Sequence, residues 1–232
     1  MPHEPPDPTR GLRVVLAILA LAVAAILFMV GQLRGDVPVT APCLVRPGVT
    51  AILGKSRTGK TTLALKELHG YAHRALIFDP RASEALDAVP TLTSRAEVRR
   101  HFANSAGRWI RTVRTFDLGL YSWLAASVAH WRGVVWVMDD AHSLFSDPLI
   151  AEKAIEVGVG GRHMGGRLGV ELWVITHRPV MVPAAIRSQV NTIHTFRQTG
   201  PLDLAELARW CGEDFAERAS QLGDYQHITG DV

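Results

Sequence analysis

The run Gly54-Lys55-Ser56-Arg57-Thr58-Gly59-Lys60-Thr61-Thr62 constrains this chain more than any other stretch. It follows the apolar run Val49–Leu53 and precedes Leu63-Ala64-Leu65-Lys66-Glu67-Leu68, whose apolar residues have helical spacing. Strand, G-x-x-x-x-G-K-T and helix in that order make a phosphate-binding loop. Its glycines let backbone N–H groups turn inward as an anion nest, and the helix opening near Gly59 adds its positive end. All nine residues, Gly54 to Thr62, are expected to contact nucleotide. Lys60 is expected to reach the β- and γ-phosphates, and the Thr61 hydroxyl to help hold Mg²⁺. A chance Gly/Lys turn would not need the flanking strand and helix. The loop predicts binding of a nucleoside triphosphate, ATP with Mg²⁺.

The remaining sequence predicts an α/β domain around that loop. Strands are expected near 49–53, 75–79, 109–114, 133–138, 170–175 and 192–196. Helices are expected near 60–72, 94–104, 118–130, 149–157, 202–210 and 213–222. Apolar β-rich runs alternating with helical patterns indicate a mostly parallel sheet flanked by helices on both faces. With 232 residues there is room for one such domain and an appendage. A net charge of +3 says little about partners, so any basic surface must be local. Cys43 and Cys211 match no metal or redox spacing and read as reduced thiols.

The appendage is N-terminal. Residues 1–13 are Pro-rich and polar and read as a disordered leader. No charge occurs between Arg13 and Arg34, and Val14–Val30 is apolar on every side. About 20 uncharged residues suffice to cross the ~30 Å hydrocarbon core. Residues 14–33 are therefore expected to form a transmembrane helix, with the flanking arginines at its interfaces. A cleaved signal peptide or a buried core helix competes with this reading. Residues 34–47 form a Pro-rich linker and 48–232 the ATPase domain. The need for ATP places that domain in the cytoplasm on a single-pass membrane protein.

Two further segments carry chemistry. Val134–Met138 is an apolar strand ending in Asp139-Asp140, a Walker B pattern. Asp139 is expected to hold Mg²⁺ with Thr61, and Asp140 to orient or deprotonate the attacking water. An ordinary strand-end turn is the bland alternative. The strand at 170–175 ends in Thr176-His177-Arg178-Pro179. Thr176 and His177 are candidate sensors of the γ-phosphate; the alternative is a strand cap beside a solvated histidine. Arg162, and after it Arg167, lie in a Gly/Arg-rich loop suited to completing a neighbour's active site. A loop of merely exposed arginines is equally allowed.

The order of these motifs resembles the FtsK–HerA superfamily of DNA-pumping ATPases. The likeness rests on Gly54–Thr62, on Asp79-Pro80-Arg81, and on Asp139-Asp140-Ala141-His142. Its most specific part is GRHMGGRLGVELWVITHRPVMVPAAIRSQVNTIHTFRQTGPLDL, Gly161 to Leu204. The resemblance implies a RecA-like P-loop NTPase fold, assembly into a homo-oligomeric ring, usually a hexamer, and Arg162 acting on the neighbouring site. His177 departs from the family's usual Gln, and Asp140 from the frequent Glu. A minimal core with one membrane segment looks most like the genome-packaging ATPases of membrane-containing icosahedral phages. That implies double-stranded DNA as cargo, capsid or portal-vertex proteins as partners, and a place at the virion membrane or packaging vertex.

Arg95, Arg99, Arg100, Arg108, Arg111 and Arg114 form a basic stretch opposed only by Glu97. It is expected either to face a phosphate backbone without sequence preference or to be a solvated helix face. Two other functions compete with a DNA packaging motor. One is an assembly or export ATPase acting on single-stranded DNA or protein. The other is a nucleotide-regulated membrane scaffold with little turnover.

Overall fold

Val49–Leu53 (β1) is buried at all five residues, which requires a strand covered on both faces and flanked on both edges. The computed structural model describes residues 48–71, 74–105, 107–164 and 168–232, and shows β1 in that position. After β1 come α1 (Lys60–Tyr71), β2 (Arg74–Phe78), β3 (Thr91–Leu92), α2 (Arg95–Asn104), β4 (Trp109–Val113) and α3 (Leu118–Ala126). Next are β5 (Val134–Met138), α4 (Ala141–Leu144), α5 (Pro148–Gly160), β6 (Val170–Thr176) and α6 (Ala184–Arg187). The chain closes with β7 (Val190–Phe196), α7 (Pro201–Cys211), α8 (Glu213–Gln221) and β8 (His227–Asp231).

The strands form one sheet in the order β3-β4-β2-β5-β6-β1-β7-β8. Every pairing is parallel except β7 with β8. The α/β sheet flanked by helices is as expected. The predicted transmembrane helix at 14–33 and the 34–47 linker lie outside the described residues. Among the described residues no helix is long and apolar enough to cross a membrane.

Strand alternation divides the core in two. Ala51, Leu53, Phe78, Trp136, Met138, Leu172 and Val174 point to the face covered by α2, α3, α5, α7 and α8. Ile52, Ile77, Val135, Val137, Trp173 and Ile175 point to the other, where α1 packs through Leu63, Ala64 and Leu68. Helix starts are locally encoded. Asp147 accepts from Leu149 N (2.9 Å) and Ile150 N (3.1 Å) ahead of Pro148, while Ser94 and Asp117 cap α2 and α3.

The basic stretch does not form one face. Arg108 and Arg114 bracket β4, so they lie about 20 Å apart along the strand, at opposite ends of the sheet. Arg108 donates to the Leu68 and His69 carbonyls at the end of α1. Arg95 and Arg99 flank the Trp123 ring at 5.5 and 5.4 Å. Arg114 turns inward. Its Nε donates to Asp79 at 2.8 Å, and its Nη1 to Asp87 at 2.8 Å.

Asp79 is fully buried, and the backbone N–H of Ser83 also donates to it, at 3.0 Å. Removing Arg114 would leave that carboxylate without its counter-charge. Arg114→Ala is expected to cost about 3–5 kcal/mol and to lower the melting temperature by about 10 °C. A thermal melt checks this, and a shift under about 2 °C would contradict it.

Candidate nucleotide site

Parallel strands end together, so their carboxyl ends carry Gly54, Asp79, Asp139 and Thr176 to a single edge. Backbone bonds lock that edge: Gly54 N to Thr176 O (3.3 Å), Asp139 N to Phe78 O (2.9 Å) and Asp79 N to Val113 O (3.0 Å). β6 lies between β1 and β5, so the tip at Thr176-His177 is framed by the loop on one side and Asp139-Asp140 on the other.

The loop from Gly54 to Lys60 wraps back on itself. A Cβ at Gly54 would come within 2.7 Å of Phe196 Cβ and 2.8 Å of Thr58 Oγ1, so only glycine fits. Gly59 has φ +95° and launches α1 through Leu63 N to Gly59 O at 2.8 Å. Lys55, Ser56 and Arg57 are exposed, while Thr58 donates to Lys55 O at 2.9 Å. Thr62, the third residue of α1, is also exposed.

Lys60 is buried, and its Nζ donates to Lys55 O at 2.7 Å. Among the described residues no carboxylate lies within ion-pair distance of it. Burial holds its pKa below the usual lysine value, and the charges of Asp139 and Asp140 only partly oppose this. A buried ammonium held within a glycine-bounded loop fits a polyphosphate.

Thr61 Oγ1 lies 3.2 Å from each Asp139 oxygen. Hydroxyl and carboxylate are hard oxygen donors, so this pair fits Mg²⁺. Burial pushes the Asp139 carboxyl up to about 6, and the Asp79 charge adds to the shift. A bound cation needs the ionised form. Mg·ATP affinity is therefore expected to fall as pH drops through about 6, approaching tenfold per unit below it. Titrations at several pH values check this; a flat profile, or the same slope in Asp139→Asn, would contradict it.

Asp140 adopts left-handed φ 53°, ψ 47°. That geometry is uncommon outside glycine but accessible to Asp. Its two oxygens are separately engaged. Oδ2 accepts from Arg81 Nε and Ser143 Oγ, both at 2.7 Å. Oδ1 faces His142 Nδ1 at 2.9 Å, without hydrogen-bond alignment, and His177 Nε2 at 3.4 Å. Burial alone would raise the Asp140 carboxyl, but the bonds from Ser143 and Arg81 outweigh it and hold it below the usual carboxylate range. Burial, and then the Lys60 charge, lower the His177 pKa, so the imidazole is neutral near pH 7. A neutral imidazole offers one donor and one acceptor nitrogen, so like a glutamine amide it can donate and accept at once.

The structure thus brings Lys60, Thr61, Asp139, Asp140, Thr176 and His177 to one place. It does not bring Arg162 there. Arg162 follows α5 in a 3-10 turn (Gly161–His163) packed against the first residue of β6. β6 has seven residues, so this is about 20 Å from the tip at Thr176. Arg162 cannot serve the site of its own chain. Arg167 lies outside the described residues. Arg81, Ser143 and His142 around Asp140 are not evident from sequence: Arg81 and His142 stand in the Asp79-Pro80-Arg81 and Asp139–His142 motifs, but only the fold brings them to Asp140.

No protein-family model and no curated protein matches this chain. Solved structures do. The genome packaging NTPase B204 of Sulfolobus turreted icosahedral virus 2, in complex with ATP-gammaS, superposes with a TM-score of 0.61 at 18% identity. The match covers 81% of this chain and 94% of B204. This chain has the B204 fold. B204 in complex with sulfate superposes equally well, with a TM-score of 0.61 over 93% of that chain. The cytoplasmic domain of the Type VII secretion ATPase EccC from Thermomonospora curvata aligns with a TM-score of 0.52 at 14% identity. It covers 80% of this chain but 24% of EccC. The B204 fold agrees with the architecture expected from the motif order.

Proposed function

We propose that this chain hydrolyses ATP to drive double-stranded DNA through a membrane-anchored ring, packaging a viral genome. The observation that carries the reading is Lys60: a buried cation with no carboxylate at ion-pair distance among the described residues, near the Thr61–Asp139 pair, at the sheet edge of a B204-like fold. The loop from Gly54 to Thr62 binds the phosphates, with Lys60 on the β- and γ-oxygens. Thr61 and Asp139 would hold Mg²⁺, which would supply charge neutralisation at the polyphosphate. Asp140 Oδ1 accepts the proton of the attacking water while Arg81 and Ser143 fix Oδ2. Neutral His177 orients that water, taking the place of an amide, and Thr176 lines the strand tip beside it. Attack at the γ-phosphorus breaks the bond to the β-phosphate oxygen and leaves ADP and phosphate.

Three features support the assembly. Arg162 lies at the far end of the sheet from its own loop, so its use in catalysis requires a neighbouring subunit, as in a ring. The uncharged segment 14–33 supports single-pass anchoring, with the ATPase domain on the cytoplasmic side or at a virion vertex contacting capsid proteins. Arg95, Arg99 and Arg100 are exposed together on α2 and are available to a phosphate backbone.

Likeness to a secretion ATPase favours one second reading, export of protein or single-stranded DNA. ATP turnover by the full chain in detergent, measured alone and with double- or single-stranded DNA, separates the two. Packaging predicts stimulation of about tenfold or more by duplex, weaker stimulation by single strands, and loss of both at high salt. Turnover indifferent to duplex DNA would contradict it.

A further inference from the structure

β1 divides the carboxyl edge of the sheet into two halves. On one side, across β6 and β5, are Thr176, His177, Asp139 and Asp140, which face the terminal phosphate in the proposed function. On the other are β7 and β8, which bring Phe196, Tyr225 and His227. A triphosphate whose γ end lies beside Asp139 must leave the loop on the β7–β8 side. Its ribose and base pass there.

That side is aromatic. Phe196 is buried beneath the loop, and its ring meets that of His227 at 5.5 Å. Beside it, Tyr225 is 73% exposed, so its ring is open to solvent. Its backbone is left-handed at φ 61°, an outlier for a bulky residue. The turn that imposes this is clamped: Gly223 N donates to Gln226 Oε1 at 2.9 Å, and Gln226 N to Gly223 O at 3.3 Å. The result brings Tyr225 against the phosphate loop. A Cβ at Gly59 would lie 3.8 Å from Tyr225 Cδ1 and 3.8 Å from Phe196 Cε1. Strained backbone clusters at ligand sites, and here it presents an open ring beside the phosphate loop.

We propose that Tyr225 is the stacking platform for the nucleobase, with the C-terminal turn and β8 acting as the base-binding wall of the site. The inference rests on the nucleotide-binding reading above. Stacking uses the π-face that every base possesses, so the wall sets affinity for nucleoside triphosphates more than choice among them.

The test compares Mg·ATP with Mg·tripolyphosphate, which has the phosphates but no base. Both are titrated by calorimetry into the full chain and into its Tyr225→Ala and Tyr225→Phe variants. Tyr225→Ala is expected to bind ATP roughly 5- to 150-fold more weakly, with tripolyphosphate affinity unchanged. Tyr225→Phe, which keeps the ring, is expected to match wild type for both. Unchanged ATP affinity in Tyr225→Ala would overturn the proposal, as would an equal loss for tripolyphosphate. A wild-type chain that binds neither ligand would instead overturn the nucleotide-binding reading beneath it.

Discussion

Replacing Lys60 by Ala is expected to reduce ATP turnover by at least about a thousandfold while leaving the fold intact. The ammonium's one hydrogen bond is to the Lys55 carbonyl at 2.7 Å, and it makes no ion pair among the described residues. Truncation therefore removes little that stabilises the chain. It does remove the buried cation at the loop, and with it the charge proposed to meet the γ-phosphate as negative charge develops there. Phosphate release and a thermal melt, measured together, check both halves. Turnover near wild type in a folded Lys60→Ala protein would show that the loop is not the site of hydrolysis.

The second large effect is expected at Asp140. Asp140→Asn should lower kcat by about 10²–10⁴ with ATP affinity nearly unchanged, because Thr61 and Asp139 are left in place to hold the metal. Asparagine suits this probe. It tolerates the left-handed backbone at φ 53° and keeps an oxygen for the Arg81 and Ser143 donors. What it loses is the basicity of Oδ1. A parallel loss of affinity and kcat would instead assign Asp140 to binding. Unchanged kcat would show that Asp140 is not the base.

Much of this site was legible in the sequence because its parts sit at strand ends. The apolar runs at 49–53, 134–138 and 170–175 announce buried parallel strands, and parallel strands place the residues that follow them on one edge. The loop glycines, Asp139-Asp140 and Thr176-His177 follow such runs directly. Features that depend on contact between distant segments were not legible. The six arginines read as one basic stretch, yet β4 separates Arg108 from Arg114, and Arg114 is committed to Asp79 and Asp87. β8, His227–Asp231, escaped notice because an edge strand half open to water needs no apolar run, and its alternating pattern has only Ile228 as a large apolar residue. Its path is set instead by α7 and α8: a Cβ at Gly230 would lie 2.8 Å from Phe215 and 3.0 Å from Cys211 Sγ. Tyr225 became visible only once that strand returned the chain to the loop.

Movement of duplex DNA is the claim on which the proposed function depends, and displacement of a third strand from a linear DNA triplex tests it most directly. A motor that tracks along the duplex strips the third strand as it passes. The full chain in detergent is expected to release the strand in the presence of Mg·ATP. It should fail to do so with a non-hydrolysable analogue, or when Lys60→Ala replaces wild type. Robust ATP turnover on the same DNA with no strand release would contradict a translocating motor.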